Sequence, residues 1–155
     1  MTTGTEAVTV SWQWQPAGAI RLASDGLLVL PSLPAIPGAY RLTLSDAGGA
    51  CIGLYIGQGG SLRQRIQHYR TPGFGHRDTK TRVNGLLLAA LRSGGAVKVE
   101  IATAASSMHG DQAFQLDLGV EASRGLVENA ALTVAYASGL PVLNGGYGAA
   151  SPPAH

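Results

Sequence analysis

Glu128 is the only charged side chain between Gly125 and Ala137, in a run reading Gly-Leu-Val-Glu-Asn-Ala-Ala-Leu-Thr-Val-Ala-Tyr-Ala. A carboxylate in so apolar a setting is costly unless a cation or a metal ion stands beside it. A lone carboxylate suits Mg²⁺, which keeps several waters of its octahedral shell and takes further oxygens from a bound phosphate. The competing reading is a structural pair with an arginine. Arg65 and Tyr69 lie four residues apart, so on a helix they project from one face. A guanidinium fork can hold a phosphate through two charge-assisted hydrogen bonds, whereas an ordinary helical arginine is simply solvated. Tyr69 can equally complete an apolar stripe with Leu62 and Ile66. A tyrosine that buries its ring and offers its hydroxyl serves both ends.

The charge distribution points the same way. Between Ser61 and Arg82 stand Arg63, Arg65, Arg70, Arg77, Lys80 and Arg82 against Asp78 alone, a net +5. The remaining residues carry five basic and eight acidic side chains, a net −3. A basic segment on an acidic body is the footprint of a phosphate-binding surface; a solvated helix face is the alternative. His68 and His76 fall in the same segment. The run Gly57-Gln58-Gly59-Gly60 lacks the lysine and spacing of a phosphate-binding P-loop and reads as a strand-to-helix turn. One cysteine, Cys51, excludes an intrachain disulfide or a cysteine-rich zinc site and reads as a core residue. No apolar run approaches a membrane span, and Met1 to Val10 lacks the charged and apolar regions of a secretory signal, so a cytoplasmic protein is expected.

The elements that must position these residues are legible from periodicity. Residues 7–14 alternate, with Val8, Val10, Trp12 and Trp14 on one side, as in a half-buried strand. Residues 27–30 form a short apolar run closed by Pro31. Residues 38–44 and 51–57 flank Ser45-Asp46-Ala47-Gly48-Gly49 and read as an antiparallel hairpin. Ser61 caps a predicted helix to about Arg70, and 71–78 reads as a loop. A second helix fits Lys80 to Arg92, stopped by Gly94-Gly95. Residues 96–103 alternate as a strand, Ser106 to Gly119 shows no clear period, and a last helix fits Ala122 to Ala137. The Gly-, Ala- and Pro-rich tail after Gly145 reads as frayed.

Two tripeptides on the predicted hairpin, Gly38-Ala39-Tyr40 and Tyr55-Ile56-Gly57, resemble the motifs that define the GIY-YIG nuclease family, with Ala39 where the name motif has isoleucine. Arg65 stands at the family's arginine position, ten residues beyond the second tyrosine, and Tyr69 at its tyrosine-or-histidine position. Glu128 matches the metal-binding glutamate of a later helix, and Pro141-Val142-Leu143-Asn144 the closing Pro-x-x-Asn. The resemblance spans about Gly38 to Asn144, and Thr79 to Asn84 is similar to a segment of small stand-alone members.

The resemblance implies an α/β (α+β) domain, a small central antiparallel sheet flanked by helices with a β–β–α–α–β–α core, over residues 37–146. Residues 1–36 are then an N-terminal β extension and 147–155 a tail. It implies a divalent-metal-dependent endonuclease acting on DNA, with one Mg²⁺ or Mn²⁺ on Glu128. Tyr40 would be the general base or water positioner, its hydroxyl lowered by the metal and Arg65. Tyr55 and Tyr69 would assist, Arg65 would bind the scissile phosphate, and Asn144 would help fix Glu128 or a phosphate. Arg63, His68, Arg70, Arg77, Lys80 and Arg82 are the expected nucleic-acid contacts. The alternatives are a non-catalytic nucleic-acid-binding module on the same fold, a nuclease acting on RNA, or a small α/β domain whose basic helix binds an acidic protein. Double-stranded DNA is the expected partner, and monomer and homodimer stay open.

Overall fold

The computed structural model describes residues 4–70 and 79–144, with Thr79 and Lys80 described by their backbone alone. In chain order the strands are β1 (Thr9–Trp12), β2 (Gln15–Leu22), β3 (Leu28–Val29), β4 (Gly38–Ser45), β5 (Cys51–Gly59), β6 (Ala96–Ala102), β7 (Ala105–His109) and β8 (Gln112–Gln115). The helices are α1 (Leu62–Gln67) and α2 (Thr79–Arg92), between β5 and β6, and α3 (Glu121–Ala137), after β8. Five strands form an antiparallel sheet in the order β3-β2-β6-β4-β5, and a second sheet has the order β1-β7-β8.

Alternation decides which face of the large sheet each side chain meets. Tyr40, Leu42 and Leu44 of β4, Tyr55 of β5, and Val97 and Val99 of β6 point to one face. There they pack against Leu62 and Ile66 of α1, Tyr69, and Val83, Leu87 and Ala90 of α2. On the other face Ala39 and Ala102 meet Val127, while Leu54 and Ile56 meet Ala131, Leu132 and Ala135 of α3. Cys51 is half-buried against this second cluster. The sheet is thus sandwiched between α1–α2 and α3, the mixed α/β architecture expected. At the β4–β5 turn the Asp46 carboxylate accepts from the amides of Gly48 and Ala50, and Gly49 takes a φ of +91°, a conformation open to glycine.

Three elements differ from the periodicity reading. The alternating run 7–14 is not one strand: β1 pairs with β7, and after Trp14 the chain crosses into the large sheet, where β2 pairs with β6. Trp12 and Trp14 nonetheless stay together, ring centroids 6.3 Å apart, both packed against the α3 side. Periodicity reported the packed face for Val10, Trp12 and Trp14, but Val8 is exposed and the change of partner was not visible. The β2 run Gln-Pro-Ala-Gly-Ala-Ile-Arg-Leu hides its strand behind Pro16 and Gly18, which sit at a register shift. The β7–β8 hairpin turns on Gly110 and lies in the stretch without a clear period, because β8 is exposed along its whole length and has no face to bury.

Helix α1 is also shorter than expected. Beyond Gln67 the amides of His68, Tyr69 and Arg70 bond three residues back, to Arg65, Ile66 and Gln67, the tighter spacing of a closing turn. The Asn84 amide of α2 donates to the Tyr69 carbonyl at 2.6 Å, which pins that turn and keeps the Tyr69 ring buried.

The outer edge of β5 is covered by the chain that leaves α3. Leu54 donates to the Pro141 carbonyl at 2.8 Å, and Leu143 donates to the Leu54 carbonyl at 2.7 Å. Asn144 continues the ladder with its side chain, accepting from the Ile56 amide at 3.0 Å and donating to the Ile56 carbonyl at 2.6 Å. A buried amide that satisfies both backbone groups of an edge residue is costly to lose. Asn144→Ala is expected to destabilise the fold by about 1–3 kcal/mol, read as a lower midpoint in urea unfolding with an unchanged slope.

Candidate active site

The β4–β5 register sets Tyr40 opposite Gly57 and Leu42 opposite Tyr55, so both tyrosines rise from the same face. Glycine at 57 is required by the Tyr40 ring, which occupies the space a Cβ would take. Two residues along, the Cβ position of Gly59 lies 3.0 Å from the Arg65 Cβ, so α1 also approaches the strand over a glycine. Tyr69 completes the cluster: its ring stands edge-on to Tyr40 and Tyr55, with centroids 6.3 and 6.2 Å away. The Tyr40 and Tyr69 hydroxyls are 2.5 Å apart. Gly57→Ala is therefore expected to displace the Tyr40 ring. If Tyr40 takes part in chemistry, activity falls about 100-fold, the size of effect that a 1 Å misplacement produces, while circular dichroism stays native.

The electrostatics of this cluster are set by burial and by one cation. Burial pushes the Tyr40 hydroxyl up to about 12; Arg65 pulls in the opposite direction without cancelling the effect. Burial raises Tyr69 as well, and the neighbouring Tyr40 and Tyr55 add to the rise. Both hydroxyls are therefore protonated near neutral pH, and either can donate the hydrogen bond between them. Burial works against the charge of Arg65, but Tyr40 and Tyr69 outweigh it and raise the guanidinium pKa. Glu128, on α3, is raised by its own burial, with Arg65 lowering it in part.

Arg65 lowers the Glu128 pKa, yet the two form no ion pair. Among the described residues the Arg65 Nε is buried without a hydrogen-bond partner, and Glu128 has neither a hydrogen bond nor a salt bridge. The contrast is Arg41 and Glu100, cross-strand partners on β4 and β6, which pair at 2.8 Å with Arg41 over the Trp14 ring. No group of three or more His, Cys, Asp or Glu gathers among the described residues. A single carboxylate without a hydrogen bond or ion pair among the described residues is a donor that fits a Mg²⁺ whose other ligands would be water and phosphate oxygens.

The remaining expected site residues divide by what they touch. Asn144 spends both ends of its amide on Ile56, so it stands beside the Tyr55-Ile56-Gly57 strand as a clamp on its backbone. Arg63 donates to the Leu33 carbonyl at 3.0 Å and Arg82 to the Leu143 carbonyl at 2.9 Å, each tying a loop to a helix. Arg70 is exposed and His68 half-buried at the end of α1. Arg77, His76 and the Lys80 side chain lie outside the described residues.

One side chain adjoining the site was not singled out from sequence. Arg124, one helical turn before Glu128 on α3, donates from Nε to the Gln58 side chain at 2.7 Å. It also donates from one terminal nitrogen to the carbonyls of Leu118 (3.0 Å) and Gly119 (3.2 Å). The i−4 spacing from Glu128 was the available signal.

No protein-family model matches this chain, and no curated protein does. Among solved structures it is similar to a mutant form of bacteriophage T4 EndoII, with a TM-score of 0.53 and 18% identity over 76% of this chain and 86% of that one. At that identity the likeness speaks for architecture alone. The chain shares the fold of that structure, a mixed α/β architecture of antiparallel sheets and flanking helices.

Proposed function

We propose that this protein is a divalent-metal-dependent endonuclease that hydrolyses phosphodiester bonds in double-stranded DNA. The observation that carries the reading is the Arg65–Glu128 arrangement: Arg65 stands close enough to lower the Glu128 pKa, both are partly withdrawn from water, the Arg65 Nε is buried without a partner, and no ion pair joins the two among the described residues. Uncompensated groups of this kind cost stability, and a phosphate on Arg65 with a cation on Glu128 would satisfy both. A similar fold in a structure named as an endonuclease adds support.

In this reading Arg65 holds the scissile phosphate and stabilises charge on its oxygens as the bond to the attacking water forms. A divalent cation on Glu128 supplies Lewis-acid stabilisation at the same phosphate. The ionised Tyr40 Oη takes the proton of the attacking water and returns to the neutral hydroxyl as the new P–O bond forms and the bond to the leaving oxygen breaks, that oxygen taking a proton from solvent; Tyr69, donating to the phenolate, stabilises it before the transfer. Tyr55 packs against both rings and keeps them in place. The basic residues Arg63, His68, Arg70, Arg77, Lys80 and Arg82 contribute contacts to flanking phosphates.

Because burial holds the free Tyr40 hydroxyl near 12, the reaction should accelerate as pH rises through the neutral range, by up to tenfold per unit, and level off only in base. Tyr40→Phe is expected to lower turnover about 10²-fold or more, to flatten that pH profile, and to leave duplex affinity unchanged. An unaltered pH profile in the variant removes Tyr40 from the proton transfer.

The direct test is a plasmid-cleavage time course with Mg²⁺, Mn²⁺ or EDTA, run beside Glu128→Ala. Metal-dependent nicking or linearisation that disappears in the variant supports the assignment. Retained duplex binding without cleavage under any metal overturns it in favour of a binding module, and cleavage restricted to RNA reassigns the substrate.

A further inference from the structure

We propose that Arg124 is a second phosphate contact, gripping a backbone phosphate beside the scissile one; the proposal rests on the nuclease reading above. Arg124 and Glu128 share a face of α3 at i and i+4 spacing, so whatever occupies Glu128 lies within a turn of this guanidinium. The guanidinium has five N–H donors. Its Nε bonds the Gln58 side chain, and one terminal nitrogen bonds the carbonyls of Leu118 and Gly119. The other terminal nitrogen has no hydrogen-bond partner among the described residues.

All the acceptors that hold Arg124 are neutral. Among the described residues its charge meets no carboxylate, unlike that of Arg41. The guanidinium is therefore fixed in place by its Nε and one terminal nitrogen while its full charge and two donors remain to be used. The open nitrogen lies 3.9 Å from the point a Gly60 Cβ would occupy. Arg65 stands against the preceding residue, Gly59. The Arg124 guanidinium and the stem of the Arg65 side chain thus flank two consecutive glycines that present no side chain, a surface on which consecutive phosphates of one strand can lie close to the backbone. An arginine held this way loses little side-chain freedom on binding, which favours a phosphate ligand over a solvated role.

The test measures binding of a short DNA duplex over a salt series, in the Glu128→Ala background so that no cleavage intervenes. Neutralising one phosphate contact lowers the slope of log affinity against log salt by about 0.9. Arg124→Gln is expected to lose about that much, and Arg124→Lys, which keeps the charge but not the fork, to retain the slope. A purely structural Arg124 predicts the same slope in all three proteins, and that result overturns the proposal. Should Arg124→Gln fail to fold, single methylphosphonate linkages placed on either side of the mapped cut site substitute for it. At least one is expected to weaken binding of the Arg124 protein and not of Arg124→Lys beyond its charge effect, and uniform indifference overturns the contact. Cleavage by the unmutated protein is assayed in parallel. Cleavage with an unchanged slope removes Arg124 alone, whereas a reduced slope without cleavage removes the nuclease reading and leaves the phosphate contact standing.

Discussion

Glu128→Gln is expected to abolish metal-dependent cleavage while leaving a fold at least as stable as the original. The loss follows from the chemistry: a cation at a reacting phosphate contributes several kcal/mol to the transition state, so about 10³-fold or more in rate disappears with its ligand. The stability follows from the structure. Among the described residues Glu128 has no hydrogen bond or ion pair to forfeit, and burial raises its pKa above that of an exposed glutamate. A carboxylate whose folded pKa is raised binds its proton more tightly in the native state, so its ionisation opposes folding. The fold therefore gains stability as pH falls through the folded value and carries the full penalty above it. Thermal midpoints recorded from acid to neutral pH should show that slope in the original protein, with the Glu128 contribution absent from the glutamine variant. A variant that melts well below the original at neutral pH identifies Glu128 as a structural partner and removes it from catalysis.

Arg65→Ala is expected to cost about 10³–10⁵-fold in turnover, the range observed when an arginine that stabilises a transferring phosphoryl group is removed, and far less in duplex affinity. The side chain is well placed for such a differential effect. Its Nε is buried and unpartnered, and the nearby tyrosine hydroxyls favour its charged form. A group held in that state interacts most strongly with whatever negative charge develops in front of it. Because the Arg65 Cβ packs over Gly59, truncation leaves the approach of α1 intact. Single-turnover rates and equilibrium binding, measured on the same duplex, separate the two roles. Equal losses in both make Arg65 an ordinary backbone contact.

Much of this arrangement could be read from residue order. The Gly38-Ala39-Tyr40 and Tyr55-Ile56-Gly57 runs alternate cleanly, so the hairpin and its tyrosine-bearing face follow from period 2 alone. Ser61 and the Gly94-Gly95 pair marked the start of one helix and the end of the next. The apolar run around Glu128 predicted a helix with an isolated carboxylate, and α3 is that helix. Less legible were β2, interrupted by Pro16 and Gly18, and the β7–β8 hairpin, whose second strand is exposed throughout. Strands without a continuous buried face carry no period to detect.

What the sequence determined by itself is the set of faces: which side chains of each strand and helix lie inward, and that Tyr40, Tyr55, Arg65, Tyr69 and Glu128 belong to elements able to meet. Tertiary structure decided the partners. It sent β1 and β2 into different sheets and turned Asn144 onto the backbone of Ile56. It also set Arg124 between Gln58 and the Leu118–Gly119 carbonyls, and left Arg65 and Glu128 adjacent but unpaired. The physical reason is one of range. Side-chain periodicity is a property of neighbours three or four residues apart, whereas a hydrogen bond spanning 88 residues, such as Asn144 to Ile56, exists only once packing has brought the two segments together.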